Sequence, residues 1–429
     1  MKKEEKKPAR NTTHSVAGGE NNLMEKIVSL CKRRGFIFAG SEIYGGLAGI
    51  YDWGHFGVAL KNNIKQYWWK KFVDNRRDIY GIDTAILMNS KVWEAAGHVA
   101  NFTDLLDGKQ FNTMLKTEVG AKKEEVAISY LRPETAQGMF VNFKNTVDAF
   151  HPKLPFGMAQ IGKAFRNEIA PRDFLFRQRE FEQMEIEYFI RPEDWQKYFE
   201  YWKGETLSFM EEVGVDMSKV HEVEIGDDDK AHYSKRTIDF EFEYPFGQKE
   251  LSGLAYRTDF DLKNHGLDYI DEEENKKIIP HVIEPSFGID RVVLVVLLSA
   301  YHEDPEGKQE ASDGAGEKGP RVYLKFKPNI APVICAVSPL LKNKIELVEY
   351  ANTKVFAPLK AEFGRVIWDD NGNIGKRYRR QDEIGTPFCI VVDFDTLTDN
   401  TVTIRDRDTG EQERVKVENL KKYIQEKIS

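Results

Sequence analysis

Arginine, glutamate and phenylalanine side chains cluster in one stretch near the middle of the chain, and together these residue types can bind a nucleotide. Arg166 and Glu168 lie two positions apart on a predicted strand, so both side chains project from one face. On the returning strand, Phe181, Gln183 and Glu185 share one face. Such a hairpin can pair an arginine with a phosphate, accept from an adenine amino group and stack the base. Periodicity alone is equally consistent with a solvated hairpin whose sides carry salt bridges.

Two common phosphate-binding motifs are missing from the sequence. Residues 372–376 (GNIGK) lack both the leading glycine and the following Ser or Thr of a Walker A loop. There is no convincing glycine fingerprint for a dinucleotide either. Arginines must therefore hold any phosphates that this protein binds.

Apolar spacing predicts the elements that position these side chains. Helices are predicted at 24–34 and 57–73, where apolar residues recur every three or four positions. In the middle of the chain, strands follow one another without regular alternation with helices, which favours an antiparallel sheet in an α+β domain. The predicted strands span residues 155–165, 174–188, 235–244, 251–256 and 281–286.

A second, smaller domain is predicted after residues 303–320, which are rich in glycine, proline and charge and are typical of a linker or exposed loop. Residues 321–429 have the pattern of a small α/β domain with a hairpin turn at 408–410. Residues 1–20 are predicted to form a flexible tail. The other predicted elements of the second domain are strands at 333–337, 366–368 and 389–394, helices at 340–356 and 375–382, and a helix that closes the chain.

Composition excludes several classes of protein. The 429 residues are 41% hydrophobic and 31% charged, the balance of a globular protein with two or three domains. The net charge is −8, so a nucleic-acid partner would meet local basic patches. Three widely separated cysteines predict neither a disulfide framework nor a zinc site. With no long apolar run and no signal peptide, the sequence predicts a cytoplasmic protein without a membrane partner.

Spaced segments in a consistent order resemble the glycyl-tRNA synthetases, a homodimeric family of class II aminoacyl-tRNA synthetases. The resemblance implies a class II catalytic domain at 21–302, built on an antiparallel sheet flanked by helices, and an α/β anticodon-binding domain at 321–429. The similar segments are motif 1 at about 48–73, RPETAQG at 132–138, motif 2 at about 165–188, AHYSKR at 231–236, motif 3 at about 283–300 and GKRYRRQDEIGT at 375–386.

The resemblance implies an ATP site. Arg166 is expected to bind the α-phosphate, Glu168 the adenine amino group and Phe181 the adenine ring. Arg291 is expected to hold the far phosphates, so Arg166 and Arg291 are the implied catalytic residues, and Glu250 is expected to bind Mg²⁺ with the ATP. The implied ATP-binding residues are Arg166, Asn167, Glu168, Phe176, Arg177, Gln178, Arg179, Glu180, Phe181, Glu250, Leu251, Gly288, Ile289, Asp290 and Arg291.

Glycine has no side chain to contact, so an enzyme selects it by filling the space that a larger side chain would need and by binding the ammonium group. The resemblance assigns the ammonium to the carboxylates of Glu134, Glu185 and Glu284. Many class II enzymes have small residues where this chain has Glu284 and Ser286, so the side chain of a larger amino acid would collide with these two residues. The implied glycine-binding residues are Glu134, Phe181, Glu182, Gln183, Met184, Glu185, Glu284, Pro285, Ser286, Phe287 and Gly288.

The implied reaction uses ATP and Mg²⁺ to join glycine to tRNA(Gly), with no zinc. The glycine carboxylate attacks the α-phosphorus and releases pyrophosphate, and a ribose hydroxyl of the terminal adenosine of tRNA then attacks the adenylate. The cluster Lys376, Arg377, Arg379 and Arg380 has the composition of an RNA contact. A solvated helix face is the alternative explanation of that cluster.

The sequence departs from the family pattern in two places. His55 follows Gly54 where the motif 1 segment usually has proline, and residues 105–110 are too short for the basic insertion that many family members carry there. Two other functions stay open. One is a catalytically silent synthetase-like protein that binds nucleic acid, and the other is a class II synthetase for serine, threonine or proline. Retention of the nucleotide-site residues argues against the first, and Glu284 with Ser286 argues against the second.

Overall fold

The computed structural model places the chain around two large apolar cores, one formed by residues 27–331 and one by residues 334–424. The first nineteen residues of the predicted tail and residues 305–319 of the predicted linker lie outside the described part of the chain. The structure describes residues 20–106, 109–121, 127–227, 230–231, 233–271, 275–304 and 320–428.

The first core is built from helices and strands that alternate irregularly along the chain. The helices are α1 (Glu20–Arg34), α2 (His55–Trp69), α3 (Ser90–Ala95), α4 (His98–Asn101), α5 (Ala136–Val141), α6 (Phe143–Phe150), α7 (Trp195–Glu212), α8 (Phe260–Asn264) and α9 (Ile289–Ala300). The strands are β1 (Ile37–Ala39), β2 (Tyr51–Trp53), β3 (Ile79–Gly81), β4 (Leu87–Met88), β5 (Thr103–Leu106), β6 (Lys109–Asn112), β7 (Lys116–Val119), β8 (Ala127–Leu131), β9 (Phe156–Phe165), β10 (Glu180–Ile190), β11 (Val220–Glu224), β12 (Arg236–Tyr244), β13 (Gly247–Thr258), β14 (Tyr269–Asp271), β15 (Lys276–Ile278), β16 (His281–Gly288), β17 (Tyr301–Asp304) and β18 (Arg321–Leu324).

The main sheet has the strand order β11-β12-β13-β16-β10-β9-β3. Its pairs are antiparallel except for β3, which runs parallel to β9 at the edge. The predicted antiparallel sheet of an α+β domain is therefore confirmed. Smaller antiparallel sheets, β4-β8-β7 and β5-β6, precede β9 in the chain.

Helix α9 packs on one face of this sheet because its sequence is apolar all round. Val292, Val293, Leu294 and Leu297 are fully buried, together with Met184 of the neighbouring strand. Helix α2 covers α9 with its own apolar stripe and continues through a π-helical turn at Lys70–Asp74. The predicted helix at 57–73 is confirmed.

The predicted strand at 174–188 is partly wrong. The segment Phe174–Phe176 forms a 3₁₀ turn, and the strand begins at Glu180. Asp173 and Phe174 have φ values of 60° and 56°, so the chain reverses direction there through a left-handed conformation. Alternating apolar residues on both sides of this turn gave the appearance of one continuous strand.

The second core holds a smaller sheet with the order β20-β19-β21-β22-β23, in which the first three strands are parallel. The predicted helix at 340–356 is shifted: it begins at Ile345 and continues through a π-helical turn into α11, whose first turn accommodates Pro358. The elements are β19 (Cys335–Pro339), α10 (Ile345–Tyr350), α11 (Ala357–Phe363), β20 (Val366–Trp368), α12 (Ile374–Ile384), β21 (Phe388–Val392), α13 (Thr396–Asp399), β22 (Thr401–Asp406), β23 (Gln412–Lys416) and α14 (Leu420–Ile428).

Packing places the division between the two cores later than the predicted residue 321. Strands β17 and β18 pair on either side of the undescribed residues, and β17 includes residues 303 and 304 of the predicted linker. Leu324, Phe326, Ile330 and Ala331 pack into the first core, whereas Ile334 begins the second. No local pattern marks this division, because the segment after the glycine-rich stretch is apolar enough for either core.

Candidate active site

A cavity of about 510 Å³ opens on the face of the main sheet that lies opposite α9. Side chains alternate across a strand, so Met184 and Phe287 point into the core while Gln183 and Ser286 line the cavity. The cavity unites residues from the whole middle of the chain. The predicted site residues that line it are Glu134, Arg166, Glu168, Phe176, Arg177, Gln178, Phe181, Gln183, Glu185, Glu250, Leu251, Glu284, Ser286, Gly288, Asp290 and Arg291.

Arg166 follows β9 directly and stands over two aromatic rings. Its guanidinium carbon lies 5.3 Å from the ring centroid of Phe181 and 5.2 Å from that of Phe102. Its Nε donates to the carbonyl of Pro133 at 3.1 Å, and its side chain lines the cavity. Glu168 accepts from Arg177 Nε at 2.7 Å on the same rim. An aromatic face and cationic groups therefore lie side by side, as a base and a phosphate require.

Arg291, at the start of α9, brings a second cation to the cavity. It pairs with Glu250 at 2.9 Å and lies 4.5 Å from the ring centroid of Phe176. The positive charge of Arg291 outweighs burial and lowers the pKa of Glu250. Burial and the nearby Glu250 raise the pKa of Asp239 to about 7. Carboxylate oxygens are the ligands that Mg²⁺ prefers, so Glu250 fits a magnesium ion carried by a nucleotide.

Glu185 lies at the closed end of the cavity and is 2% exposed. It accepts hydrogen bonds from Gln183 Nε2 at 2.6 Å and from Ser286 Oγ at 2.7 Å, and a third from the hydroxyl of Thr135. Burial and the nearby Glu134 raise its pKa. Three donors therefore fix the position of this carboxylate in the cavity.

Glu134 stands beside Glu185 and is held by a histidine from α4. Its Oε1 lies 3.1 Å from Nε2 of His98, whose ring stacks on Phe102 at a centroid distance of 5.3 Å. Burial opposes the charged form of Glu134, but His98, Arg257 and Arg166 outweigh it and lower its pKa. His98 was not predicted as a site residue, because its contact with Glu134 joins segments that are far apart in the sequence.

Arg257, which was not predicted as a site residue, supplies the buried positive charge of the cavity floor. It is fully buried and donates to Asp261 at 2.8 and 2.9 Å and to Glu284 at 2.8 Å. The ring of Tyr233 lies 3.8 Å from its guanidinium carbon. The spacing of four between Arg257 and Asp261 was the available signal, but surface ion pairs share that spacing.

Several predicted nucleotide-binding residues lie outside the cavity lining. The N–H of Asn167 donates to the carbonyl of Thr113 at 2.7 Å, and Arg179 donates to the carbonyl of Ala48 at 2.9 Å. Glu180 pairs with Lys163 at the protein surface. Ile289 is fully buried in the core. Asp290 borders the cavity, but its carboxylate accepts from Lys61 Nζ at 2.9 Å and from the N–H of Glu182 at 2.8 Å.

Four predicted amino-acid-binding residues face away from the cavity because of strand alternation. Glu182 accepts from Lys61 and Lys65 of α2 at 2.9 and 2.6 Å. Met184 and Phe287 are core residues next to α9. Pro285 is buried and shares its face of β16 with Phe287. Their side chains therefore do not line the cavity, and their place in the amino-acid site stays a prediction that came from taking consecutive residues of each motif together.

The basic cluster on α12 is less exposed than its composition suggested. Arg377 is 3% exposed and donates to the carbonyls of Pro339 and Gly372 at 2.6 and 3.0 Å. Arg380 pairs with Asp369. The burial of Arg377 contradicts its predicted contact with tRNA, whereas Lys376 is exposed and Arg379 is half-buried.

The described part of the chain contains neither a metal-binding cluster nor a membrane-spanning helix. No group of three or more histidine, cysteine, aspartate or glutamate side chains there is arranged to hold a metal ion. Within the same residues, no helix has the length and apolar character needed to cross a membrane. Cys31, Cys335 and Cys389 are buried and free.

Comparison with known families matches both cores. Residues 117–300 match the tRNA synthetase class II core domain (G, H, P, S and T), and residues 334–427 match the anticodon binding domain. The second match begins at Ile334, where packing places the second core.

Similar proteins cover almost the full chain. The glycine–tRNA ligase of Clostridium acetobutylicum is 44% identical over 473 aligned positions, which cover 95% of this chain and 99% of the relative. The ligase of Treponema denticola is 45% identical and that of Thermus thermophilus 40% identical, with 91% and 94% of this chain covered and 94% and 99% of the relatives. The chain therefore belongs to the glycine–tRNA ligase family of class II aminoacyl-tRNA synthetases.

Proposed function

We propose that this protein activates glycine with ATP and transfers it to the terminal adenosine of tRNA(Gly). The arrangement of charged residues in the cavity supports this proposal. Glu134, Glu185 and Glu284 line one end of the cavity, and its rim holds Arg166 and Arg291. Carboxylates suit an ammonium group and arginines suit phosphates. A small amino acid and a nucleotide can therefore bind in line within about 510 Å³.

The proposed activation step depends on positioning and charge. Arg166 holds the α-phosphate and stabilises the charge that develops as the glycine carboxylate attacks. Phe181 receives the adenine ring, with Glu168 at its amino edge. Arg291 releases Glu250 and takes the far phosphates. Oriented reactants and neutralised charge are sufficient for such a displacement, so no protein nucleophile is assigned.

Glu250 would hold the Mg²⁺ that accompanies ATP. The ion supplies neutralisation of phosphate charge as pyrophosphate leaves. Glu250 suits this task because its side chain is 46% exposed to the cavity and its present partner, Arg291, is itself a phosphate-binding group.

Selection of glycine follows from the filled floor of the cavity. Glu185 is tied to Ser286, and Glu284 is tied to Arg257, so neither side chain can swing away without breaking buried hydrogen bonds. A substrate side chain would therefore collide with fixed groups. Serine, threonine or proline would need space that Glu284 and Ser286 occupy.

The proposed partners are a second copy of this chain and tRNA, and the proposed location is the cytoplasm. Ile43, Tyr44 and Leu47 are 88%, 87% and 60% exposed beside the motif 1 region, which supports a homodimer because such apolar patches mark interfaces. Lys376 and Arg379 stay the proposed tRNA contacts on the second core. The proposed location is the cytoplasm, whose reducing conditions suit the three free cysteines.

ATP–pyrophosphate exchange with each of the twenty amino acids tests the proposal. We expect exchange with glycine alone, in the presence of Mg²⁺. Exchange with serine, threonine or proline instead would assign the chain to another substrate. Absence of exchange with all twenty, in protein shown to be folded, would favour a silent synthetase-like protein.

Replacing Arg166 with alanine tests the catalytic assignment. We expect exchange to fall at least about 100-fold, because a preorganised charge at the reacting phosphate is typically worth that much. Arg414→Ala is the matched control, since Arg414 lies on β23 of the second core and pairs with Asp393. Near-normal exchange in Arg166→Ala would contradict the role of Arg166.

A further inference from the structure

Glu187 is a buried glutamate that the proposed reaction leaves without a role. It lies on β10 two residues beyond Glu185, on the same face of the strand, and is 0% exposed. Neither of its carboxylate oxygens has a hydrogen-bond partner in the described part of the chain. A buried, ionised carboxylate without a donor is very costly, so this group needs another explanation.

Strand register places Glu187 directly opposite Glu284. Glu185 pairs with Ser286 and Tyr188 pairs with Ile283, so the intervening residues of β10 and β16 stand in the same register. Opposed side chains on antiparallel strands have Cβ atoms about 4.5–5.5 Å apart and share a face. Two carboxyl groups therefore meet beneath the place proposed for the substrate ammonium.

Two adjacent buried carboxyl groups cannot both ionise at low cost, so such pairs retain one proton. Arg257 donates to Glu284 at 2.8 Å and favours its ionised form, although burial still raises the pKa of Glu284 to about 8. No comparable donor reaches Glu187, and burial together with the charge of Glu284 raises its pKa well above the usual value. The other charged groups that act on this pair are Glu185 of β10, Asp261 of α8 and Glu134, which precedes α5.

We propose that Glu187 and Glu284 hold one proton between them, carried by Glu187, and that Glu187 is a positioning residue that sets the charge presented to the substrate ammonium. The inference rests on the proposed function, because it assumes that an ammonium group binds beside Glu284. Glu187 acts through Glu284 and does not itself contact the substrate.

Ammonium binding then shifts the proton balance of the pair. The positive charge favours the ionised form of both carboxyl groups. The singly protonated pair and the ammonium ligand give a doubly ionised pair bound to ammonium, and one proton passes to water. Binding therefore releases up to one proton at a pH where the free pair is still protonated.

Calorimetry of the full chain measures this release with a non-hydrolysable analogue of the adenylate. Glycyl-sulfamoyl adenosine is titrated near pH 7 in two buffers that differ in ionisation enthalpy, and sulfamoyl adenosine without glycine is the ligand control. We expect proton release with the glycyl compound to exceed that with the control. Equal proton release by the two ligands would overturn the inference, whereas failure of the glycyl compound to bind at all would count against the proposed function.

Glu187→Gln copies the protonated acid and removes its proton. We expect the excess proton release to disappear in this variant. We also expect the melting temperature of the unmodified protein to fall relative to Glu187→Gln as pH rises from about 5 to 8. The unfolded chain loses this proton near pH 4.3 whereas the folded protein retains it, so folding becomes less favourable as pH rises.

Glu243→Gln is the matched control, because Glu243 is an exposed glutamate of β12 that pairs with His221. Parallel pH curves for the unmodified protein and Glu187→Gln would overturn the inference, as would undiminished excess proton release in the variant. If Glu187→Gln does not fold, the ligand comparison in the unmodified protein still decides the outcome.

Discussion

Arg257 shows how one buried side chain stabilises the candidate site. Its guanidinium joins Asp261 and Glu284, and all three side chains are nearly or fully inaccessible to solvent. Without it, two carboxylates would be left in a cavity floor that already contains Glu134 and Glu185. The acidic floor is therefore possible only because this cation is folded beneath it.

Replacing Arg257 with methionine keeps much of the volume and removes the charge. We expect the free energy of unfolding to fall by about 3–5 kcal/mol, because the buried carboxylates are left without a neutralising positive charge. Urea denaturation measures the change. Arg236→Met is the control, since Arg236 pairs with Glu200 and Glu224, which are 52% and 54% exposed, and should lose at most about 1 kcal/mol. Equal losses in both variants would contradict this account.

Glu185→Gln tests the ammonium pocket. The amide removes the negative charge and turns an N–H donor toward groups that themselves donate. We expect the KM for glycine in pyrophosphate exchange to rise about 10- to 100-fold, because the binding free energy of glycine weakens by about 1.5–3 kcal/mol. The KM for ATP should change less than about twofold. Glu243→Gln is the control, because Glu243 is an exposed glutamate of β12 that pairs with His221. A defect in ATP binding alone would refute the role of Glu185.

At the scale of elements, α2 and the segment before β1 approach more closely than a side chain would allow. The N–H of Gly54 donates to the carbonyl of Phe36 at 2.8 Å, and the N–H of Phe56 donates to that of Gly35 at 3.1 Å. A Cβ at Gly57 would lie 1.8 Å from the same Phe36 oxygen. This contact sets the position of α2, whose Lys61 then reaches Glu182 behind the cavity.

Gly57→Ala tests the close approach of α2. We expect a loss of about 3 kcal/mol or more in the free energy of unfolding, because backbone cannot yield as a side chain does. Gly204→Ala in α7 is the control: nothing lies within 4 Å of its added Cβ, and alanine is favoured in a helix by about 0.5–1 kcal/mol. Urea denaturation should therefore move the two variants in opposite directions. A stable Gly57→Ala variant would show that α2 can shift.

For the whole molecule, ion pairs connect the two cores across α12. Glu383 accepts from Arg33 and Arg34 of α1 at 3.0 and 2.5 Å. Arg321 of β18 donates to Asp382 at 2.8 Å. The helix that carries the basic cluster is thus fixed to the first core by its far end, which gives the cluster a defined direction.

The exposed apolar patch of Ile43, Tyr44 and Leu47 predicts self-association. We expect the double variant Ile43→Asp, Tyr44→Asp to weaken dimerisation at least about 10-fold, because two charges would enter an apolar contact. Sedimentation velocity across a concentration series measures this. Ile345→Asp is the control, since Ile345 is 71% exposed on α10 of the second core. Identical association of all three proteins would exclude this patch from the interface.

The sequence by itself determined the parts of the protein that depend on periodicity. Apolar residues all round α9 predict a buried helix, and alternation on β10 places Gln183 and Glu185 on one face. Resemblance in short motifs located Arg166, Arg291 and the three pocket glutamates. These features are local, because each depends on residues within about two turns or one strand of one another.

The tertiary structure decided which of those residues share a cavity and which groups balance their buried charges. His98 reaches Glu134, Arg257 reaches Glu284, and Glu187 stands opposite Glu284 because of strand register and loop paths. It also buried Arg377, which composition alone placed at the surface. Contacts between distant segments depend on the summed packing of the whole core, and no local pattern in the sequence carries that information.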